Sequence, residues 1–511
     1  MSSLLSYVPF FNARRPLPPV VPTDEVVPVH LFDDTPILRR ATMAWTYRFS
    51  EVLNPDKLND SLCQLFHMEG WRKLGGRYRC RPDGKLEIHI PSPFTKERPP
   101  VYYTKAHHDI RMSEHPIASK LPLATGKVAI FPGPRAFHSL ALGPGTPRKF
   151  EDFIYLDLPQ FSLHVTTFAD GTIVGVSHSH MTAGLSGFTA VINAWSLILA
   201  GKPDVVPPFV GFHEDGMKGL LDSPTQENHV LSGKELTGWR LIYWSLRSLY
   251  ESRRSPLEYR TLCIPKSTME GVLAESRSSI AFKKSISATS TDMEPFITEG
   301  DVLAAIACRS IAQDQQPGST RNIVTVMALD PFFRANSAFR QNAAYVQNIP
   351  TAIFFNCPAS TALEASLGEL ALLARHAITT QATEKQIKAY MSLSAESIKK
   401  NGMKVFFGDK DMALQTMSNW LKANLFEKVD FSPAIVKEAL ESEPGRKRGH
   451  PTYYHCGDTG DIDEPLLIPL WTVMGADYKG NIWLSCVLSR HSWLKLFEFL
   501  ESFEYSPRAK L

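Results

Sequence analysis

Apolar and polar positions along this chain follow two periods, one of helices and one of strands. Residues 41–49 are rich in aromatic and small apolar side chains and predict a strand. Asn54-Pro55 then supplies a helix cap and a favoured first helical residue, and Leu58, Leu62, Leu65 and Phe66 recur at helical spacing. Residues 78–81 and 85–90 flank Asp83-Gly84, a hairpin signal. Further on, 162–168 predicts a strand, Asp170-Gly171 a turn, and 172–177 a second strand. After a short loop, 185–200 predicts a helix that ends at Gly201, with Pro203 beyond it.

From 201 to about 266 the pattern weakens, and Pro207-Pro208, Gly211, Gly216 and Gly219 mark a long connection. Residues 236–251 inside it predict a helix with aromatic and basic residues. Its bulky side chains suit packing against the protein, and a membrane-surface helix is the alternative. A second half begins near Lys266. There Thr298-Glu299-Gly300-Asp301 resembles a capping box, with Asp in the place usually held by Glu or Gln, and opens a helix over 302–312. Residues 322–329 predict a buried strand, 361–400 a mostly helical stretch, 481–488 a strand and 492–503 a closing helix. Strands and helices recur in both halves, which predicts a two-domain mixed α/β architecture. The expected division is 1–205, a connection over 206–265, and 266–511.

A chain of 511 residues is too long for one compact core. It is 43% hydrophobic and 21% charged, as globular proteins are. A net charge of +3 gives no electrostatic case for a nucleic-acid partner. The seven cysteines are scattered and make no Cys-x-x-Cys pair, so no metal or redox motif is expected and a reducing compartment is. No run reaches the ~18 apolar residues of a membrane span. The apolar stretch at 4–11 is short, lacks a basic region before it and is followed by Arg14-Arg15, so it does not read as a signal peptide. A cytoplasmic monomer is the expectation.

The chemistry concentrates at His178-Ser179-His180-Met181-Thr182-Ala183-Gly184, at a strand end on a loop that feeds a helix. A rigid frame can position an open loop there. His180 to Gly184 falls in the frame of a His-x-x-x-Asp motif, with Gly187 and residues 194–201, which begin Ala-Trp-Ser, downstream of it. Ser418-Asn419-Trp420 resembles a Ser/Thr-x-Trp element, and Asp430-Phe431-Ser432-Pro433-Ala434 resembles an Asp-Phe-Gly motif. Phe32-Asp33-Asp34-Thr35-Pro36 resembles the opening of fungal members of the same family. Together these motifs, spanning about residues 30–500, resemble the acyl-CoA-dependent acyltransferases of the BAHD type, in their fungal secondary-metabolism branch.

The resemblance implies an α/β fold of two similar chloramphenicol-acetyltransferase-like domains with an interdomain channel. It implies no bound cofactor and no metal; acyl-CoA enters as co-substrate and a small-molecule alcohol or amine as acceptor. His180 is then the general base, since an imidazole has its unperturbed pKa near neutrality. His178 is a neighbouring candidate on the substrate side. Ser418 or Trp420 supplies or shapes the contact to the oxyanion of the tetrahedral intermediate. Asp430 is structural and ties down a loop, and Trp195 belongs to the core.

One motif residue is missing, because Gly184 stands where the family carries Asp. That carboxylate pairs with an arginine of the second half. The matching stretch here is Asp330-Pro331-Phe332-Phe333-Arg334, with Phe332 in the arginine's place. Losing one partner of a buried ion pair costs about 3–5 kcal/mol, whereas losing both can be nearly neutral. Gly184 and Phe332 are therefore expected to lie together behind the His180 loop, so that Gly184→Asp alone would destabilise the protein. The expected reaction is transfer of an acyl group, acetyl foremost, to a hydroxyl of a small fungal metabolite. The alternative keeps the fold, drops CoA, and has His180 act as acid or base in a cyclisation, elimination or isomerisation. A third reading is a ligand-binding protein without catalysis.

Overall fold

The structure is a computed structural model that describes residues 16–504 apart from 223–224, 287–295, 350 and 442. The apolar stretch at 4–11 lies outside the described residues. Two mixed sheets form the framework. The first has five strands in the order Tyr453–Asp458, Thr42–Phe49, Gly171–Ser179, Phe161–Phe168 and Tyr102–His107. The second has seven, in the order Ala352–Pro358, Asn322–Ala328, Ala413–Asn419, Leu470–Ala476, Ile482–Ser489, Leu257–Ile264 and Ala129–Pro132. Each sheet takes one strand from the other half of the chain. Tyr453–Asp458 closes one edge of the first sheet, and Ala129–Pro132 forms one edge of the second. Strand Leu257–Ile264, from the expected connection, is also part of the second sheet.

Local signals explain most of these elements. Asn54 accepts from the backbone N–H groups of Asp56 and Lys57 at 3.0 and 3.1 Å, capping helix Pro55–His67. Its buried face, Leu58, Leu62, Leu65 and Phe66, lies in the first core. Trp195, on helix Leu185–Leu199, donates its indole N–H to Ser61 Oγ of that helix at 2.9 Å. Thr298 donates its backbone N–H to Asp301 Oδ2 at 2.7 Å, so Asp does serve in the capping box that opens helix Glu299–Ala312. The predicted helical stretch after residue 360 is three helices, Ala359–Glu364, Leu367–Gln381 and Glu384–Asn401.

The first core reaches across the chain. Trp420, Phe426, Phe431 and Tyr454 from the second half pack with Trp45, Tyr47 and Phe188 from the first. The second core packs helices Glu299–Ala312, Leu367–Gln381 and Arg490–Ser502 on the seven-stranded sheet. Helix Gly238–Arg254 divides its faces. Leu241 and Trp244 pack against the protein, whereas Trp239, Ile242, Tyr243, Leu246 and Tyr250 are exposed. Protein packing thus accounts for one side of this helix only. Among the described residues no helix is long and apolar enough to cross a membrane.

Candidate functional site

Strand Gly171–Ser179 is buried along its whole length between Thr42–Phe49 and Phe161–Phe168. His180 is the first residue beyond it, and its backbone N–H donates to Ala41 O at 2.8 Å, one step past the end of the ladder. The loop then turns tightly, with Thr182 N donating to Ser179 O at 2.9 Å and Tyr78 OH sharing a 2.9 Å hydrogen bond with Thr182 Oγ1. Two residues of the second half converge on this loop. Asn348 Nδ2 donates to the carbonyl of His180 at 2.8 Å. Lys404, two residues past the left-handed Gly402 that ends helix Glu384–Asn401, brings its charge to bear on the imidazole. His180 therefore sits where the two halves meet.

The His180 ring is half-buried, and its Nδ1 is shut away without a hydrogen-bond partner. Burial pushes the imidazole below its ordinary pKa. Its own carbonyl and the Asn348 side chain pull it up, and the Lys404 ammonium pushes it down again. The net shift is downward, so the ring is neutral at neutral pH, the form in which a nitrogen can accept a proton. Burial also lowers the Lys404 pKa, and among the described residues no carboxylate pairs with it.

His178 is placed differently, inside the strand and sealed in the core. It is 1% exposed, its Nε2 accepts from Trp45 Nε1 at 3.3 Å, and its Nδ1 donates to Ser179 O at 2.9 Å. Phe161 and Phe188 stack on it at 5.0 and 5.2 Å. Burial pushes its pKa down to about 3. With both ring nitrogens engaged in the core it has no edge to offer a ligand.

Ser418 is the last residue but one of strand Ala413–Asn419, and Trp420 Nε1 donates to Ser418 Oγ at 2.6 Å. The Ser418 oxygen is thus used as an acceptor, which leaves its hydroxyl proton to be donated elsewhere. Trp420 also packs at 5.2 Å on Trp45, the partner of His178. Asp430 Oδ1 accepts from Ser432 N at 2.9 Å, and Asp430 N donates to Ser196 Oγ at 3.3 Å. The next residue, Phe431, wedges between Phe49 and Trp195. This is a loop anchor, away from His180.

The Gly184 and Phe332 segments do meet, since Ser186 Oγ donates to Asp330 Oδ2 at 2.9 Å, but the Phe332 ring is not in contact with the Gly184 position. A Cβ on Gly184 would meet a single atom within 4 Å, Asn348 Oδ1 at 3.3 Å. Phe332 packs instead on Phe339 and Tyr345, at 4.5 and 5.2 Å, in a separate cluster. Gly184 is moreover the half-exposed N-cap of helix Leu185–Leu199, with φ of −83° and no side-chain cap. An aspartate there would meet a helix N-terminus rather than an apolar pocket, so the expected large loss of stability does not follow. The residues that sequence reasoning missed are Asn348 and Lys404, together with Asp33. Asp33 stood in a quoted motif without a role; its Oδ1 accepts from Asn348 N at 2.7 Å and Asn348 Nδ2 at 2.9 Å.

Comparison with known proteins bears on what this site belongs to. No family model matches the chain. It is 34% identical over 499 residues to acetyltransferase pyiB of Pyricularia grisea, covering 96% of both chains. It is 31% identical over 491 residues to O-acetyltransferase PaAT-2 of Phomopsis amygdali, covering 94% of this chain and 98% of that protein. A further relative, 31% identical over 495 residues with 95% and 97% coverage, is named transcriptional regulator calD of Penicillium decumbens. Among solved structures, F. sporotrichioides TRI101 complexed with coenzyme A and T-2 superposes with a TM-score of 0.60. That match has 14% identity and covers 94% of this chain and 98% of the other. It shows the fold, the two-domain chloramphenicol-acetyltransferase-like arrangement.

Proposed function

The chain belongs to the BAHD-type acyltransferases of fungi, and from that premise we propose that it moves an acetyl group from acetyl-CoA to a hydroxyl of a small apolar metabolite, with His180 as base. The observation that carries this reading is the setting of His180. A neutral imidazole stands at a strand end between the halves, with one nitrogen buried and the neighbouring histidine excluded by its packing.

With Nδ1 shut away, Nε2 is the nitrogen assigned to the proton. It takes the acceptor hydroxyl's proton as that oxygen attacks the thioester carbonyl, and a tetrahedral intermediate forms. The oxyanion is met by the Ser418 hydroxyl, which Trp420 orients by occupying the Ser418 oxygen as donor. Collapse breaks the C–S bond, and the proton passes from His180 to the departing CoA thiolate. No enzyme nucleophile is involved, so one ordered histidine is enough. The relatives named acetyltransferase and the CoA-bound TRI101 support acetyl-CoA as the donor. The protein acts as a monomer in the cytoplasm, with domains at 1–205 and 266–511 joined through 206–265, one strand exchanged each way, and strand Leu257–Ile264 of the connection completing the second sheet.

The test is incubation with acetyl-CoA and a panel of small apolar alcohols, followed by mass spectrometry. An acetylated product that depends on both protein and acetyl-CoA supports the reading. Conversion of an acceptor without acetyl-CoA would favour the CoA-independent alternative, and no conversion of any alcohol would favour a binding role.

A further inference from the structure

The family frame places a carboxylate at the position of Gly184, and this chain supplies one from elsewhere. We propose that Asp33, acting through Asn348, replaces the missing motif aspartate as the group that fixes the His180 loop. Both are then positioning residues for the base. The inference rests on His180 being that base.

The geometry is a relay of three groups. Asn348 Nδ2 donates to the His180 carbonyl at 2.8 Å and to Asp33 Oδ1 at 2.9 Å, while its backbone N–H donates to the same oxygen at 2.7 Å. Asn348 Oδ1 lies 3.3 Å from where a Cβ on Gly184 would be, so the amide occupies the ground a motif aspartate would enter. Asp33 and Asn348 are 4% and 5% exposed, which makes these bonds hard for water to replace. A buried carboxylate also needs hydrogen bonds or a positive counterpart. Burial pushes the Asp33 carboxyl up to about 7, against the Asn348 hydrogen bonds and with two charges acting on it, Lys73 pulling it down and Asp215 up. Lys73 is the cation among them, and its ammonium donates to Gly211 O. What fixes the Asp33 carboxyl is therefore its two hydrogen bonds from Asn348, with Lys73 acting on it at a distance and not as an ion-pair partner. Asp33 and Asn348 are 315 positions apart, so the base is braced by both halves of the chain.

The experiment compares Asp33→Asn, Asn348→Ala and His180→Ala in acetyl transfer, with thermal unfolding as the control for folding. Asn348→Ala and Asp33→Asn should lower kcat about ten- to hundredfold through misplacement of the base, with KM for acetyl-CoA little changed. Because Asn348 raises the His180 pKa, its removal should also move the acid limb of kcat to lower pH, which a general loss of packing would not do. Moving the carboxylate, as Asp33→Asn with Gly184→Asp, should recover part of the lost kcat. Wild-type kcat and pH profile in both single variants, beside an inactive His180→Ala, would overturn the relay alone. An active His180→Ala would overturn the assignment of the base on which it stands.

A second inference comes from helix Gly238–Arg254. We infer that its outer face docks on an anionic lipid surface. Trp239, Ile242, Tyr243, Leu246 and Tyr250 recur at helical spacing and are 66%, 54%, 42%, 64% and 60% exposed. Exposed Arg253 and Arg254 lie at one end of this stripe and Lys234 beyond the other. The helix's one carboxylate, Glu251, is turned to Arg247 and Arg321. Aromatic and aliphatic side chains with cations at both ends, and with Glu235 beside Lys234 folded back onto the backbone N–H of Gly233, fit acyl chains and anionic headgroups.

Co-sedimentation of the full chain with phosphatidylcholine vesicles, with and without phosphatidylserine, tests this. Binding should require phosphatidylserine, weaken with Arg253→Gln/Arg254→Gln, and be lost with Trp239→Ser/Leu246→Ser. Failure to bind either vesicle would overturn it, as would a dimer in sedimentation velocity that Trp239→Ser/Leu246→Ser dissolves, which would assign the stripe to a second copy.

Discussion

The molecule contains the same local unit twice, an antiparallel strand pair leading into a helix, and the two copies are joined differently. In the second half, Leu470–Ala476 and Ile482–Ser489 run straight into helix Arg490–Ser502. Ser489 is at once the last strand residue and the helix cap, accepting from Ser492 N at 2.9 Å, and both hydroxyls also bond Asp314. In the first half, Phe161–Phe168 and Gly171–Ser179 are followed by five further residues before helix Leu185–Leu199 starts at an uncapped glycine. Those five residues carry His180. The tight junction closes on itself and is inert. The open one must be held from outside, by Ala41, Tyr78 and Asn348, and its histidine ring is held without being sealed. His178, still inside the strand, shows what the same residue type becomes when it is sealed.

The contrast would break most visibly at the open junction. His180→Ala should lower turnover by about 10²–10⁴, the usual cost of losing a general base, with the unfolding midpoint little changed. His178→Ala should do the reverse. It removes a buried ring and strands the Trp45 indole N–H, so stability should fall by about 2–4 kcal/mol in urea unfolding while the folded fraction keeps activity. A variant pair with these effects exchanged would mean that the roles of the two histidines are exchanged.

The pH profile sharpens the comparison further. The pKa of His180 is lowered, so its base form persists below the ordinary imidazole value near 6.5, and the acid limb of kcat/KM should lie below that pH. Lys404 contributes to the lowering, and Lys404→Met should therefore move the limb upward. A limb that stays in place would mean that Lys404 does not face the base. The smallest effect is expected at Gly184→Asp. A carboxylate at the helix N-cap gains about 1 kcal/mol from the free N–H groups and the dipole, against crowding by Asn348 Oδ1. A thermal midpoint within a few degrees of wild type is predicted, whereas a large drop would restore the view that this site is apolar.

Most of the scaffold was legible because it is written locally. The cap at Asn54, the turn at Asp83-Gly84 and the box at Thr298 each announce their element within four residues. The strand exchange was not legible, since Ala129–Pro132 and Tyr453–Asp458 pair with partners far along the chain and carry no local sign of it. The site divided the same way. His180 could be found from its strand end and motif frame. Asn348 and Lys404 could not, because an amide and an amine in ordinary surroundings become part of a site only when the second half folds over the first. For Phe332 the alignment found the segment that meets the Gly184 loop, through Ser186 and Asp330, but not the direction of the ring, which packs on Phe339 and Tyr345.

If the proposed function holds, this junction serves acyl transfer from a CoA thioester. Calorimetric titration of acetyl-CoA into the wild-type and His180→Ala proteins tests that most directly. Saturable binding in the micromolar range, of equal affinity in both, is predicted, because the base acts on the acceptor and not on the donor's hold. Absence of binding by the wild-type protein at millimolar acetyl-CoA would contradict it and leave His180 to chemistry that needs no CoA.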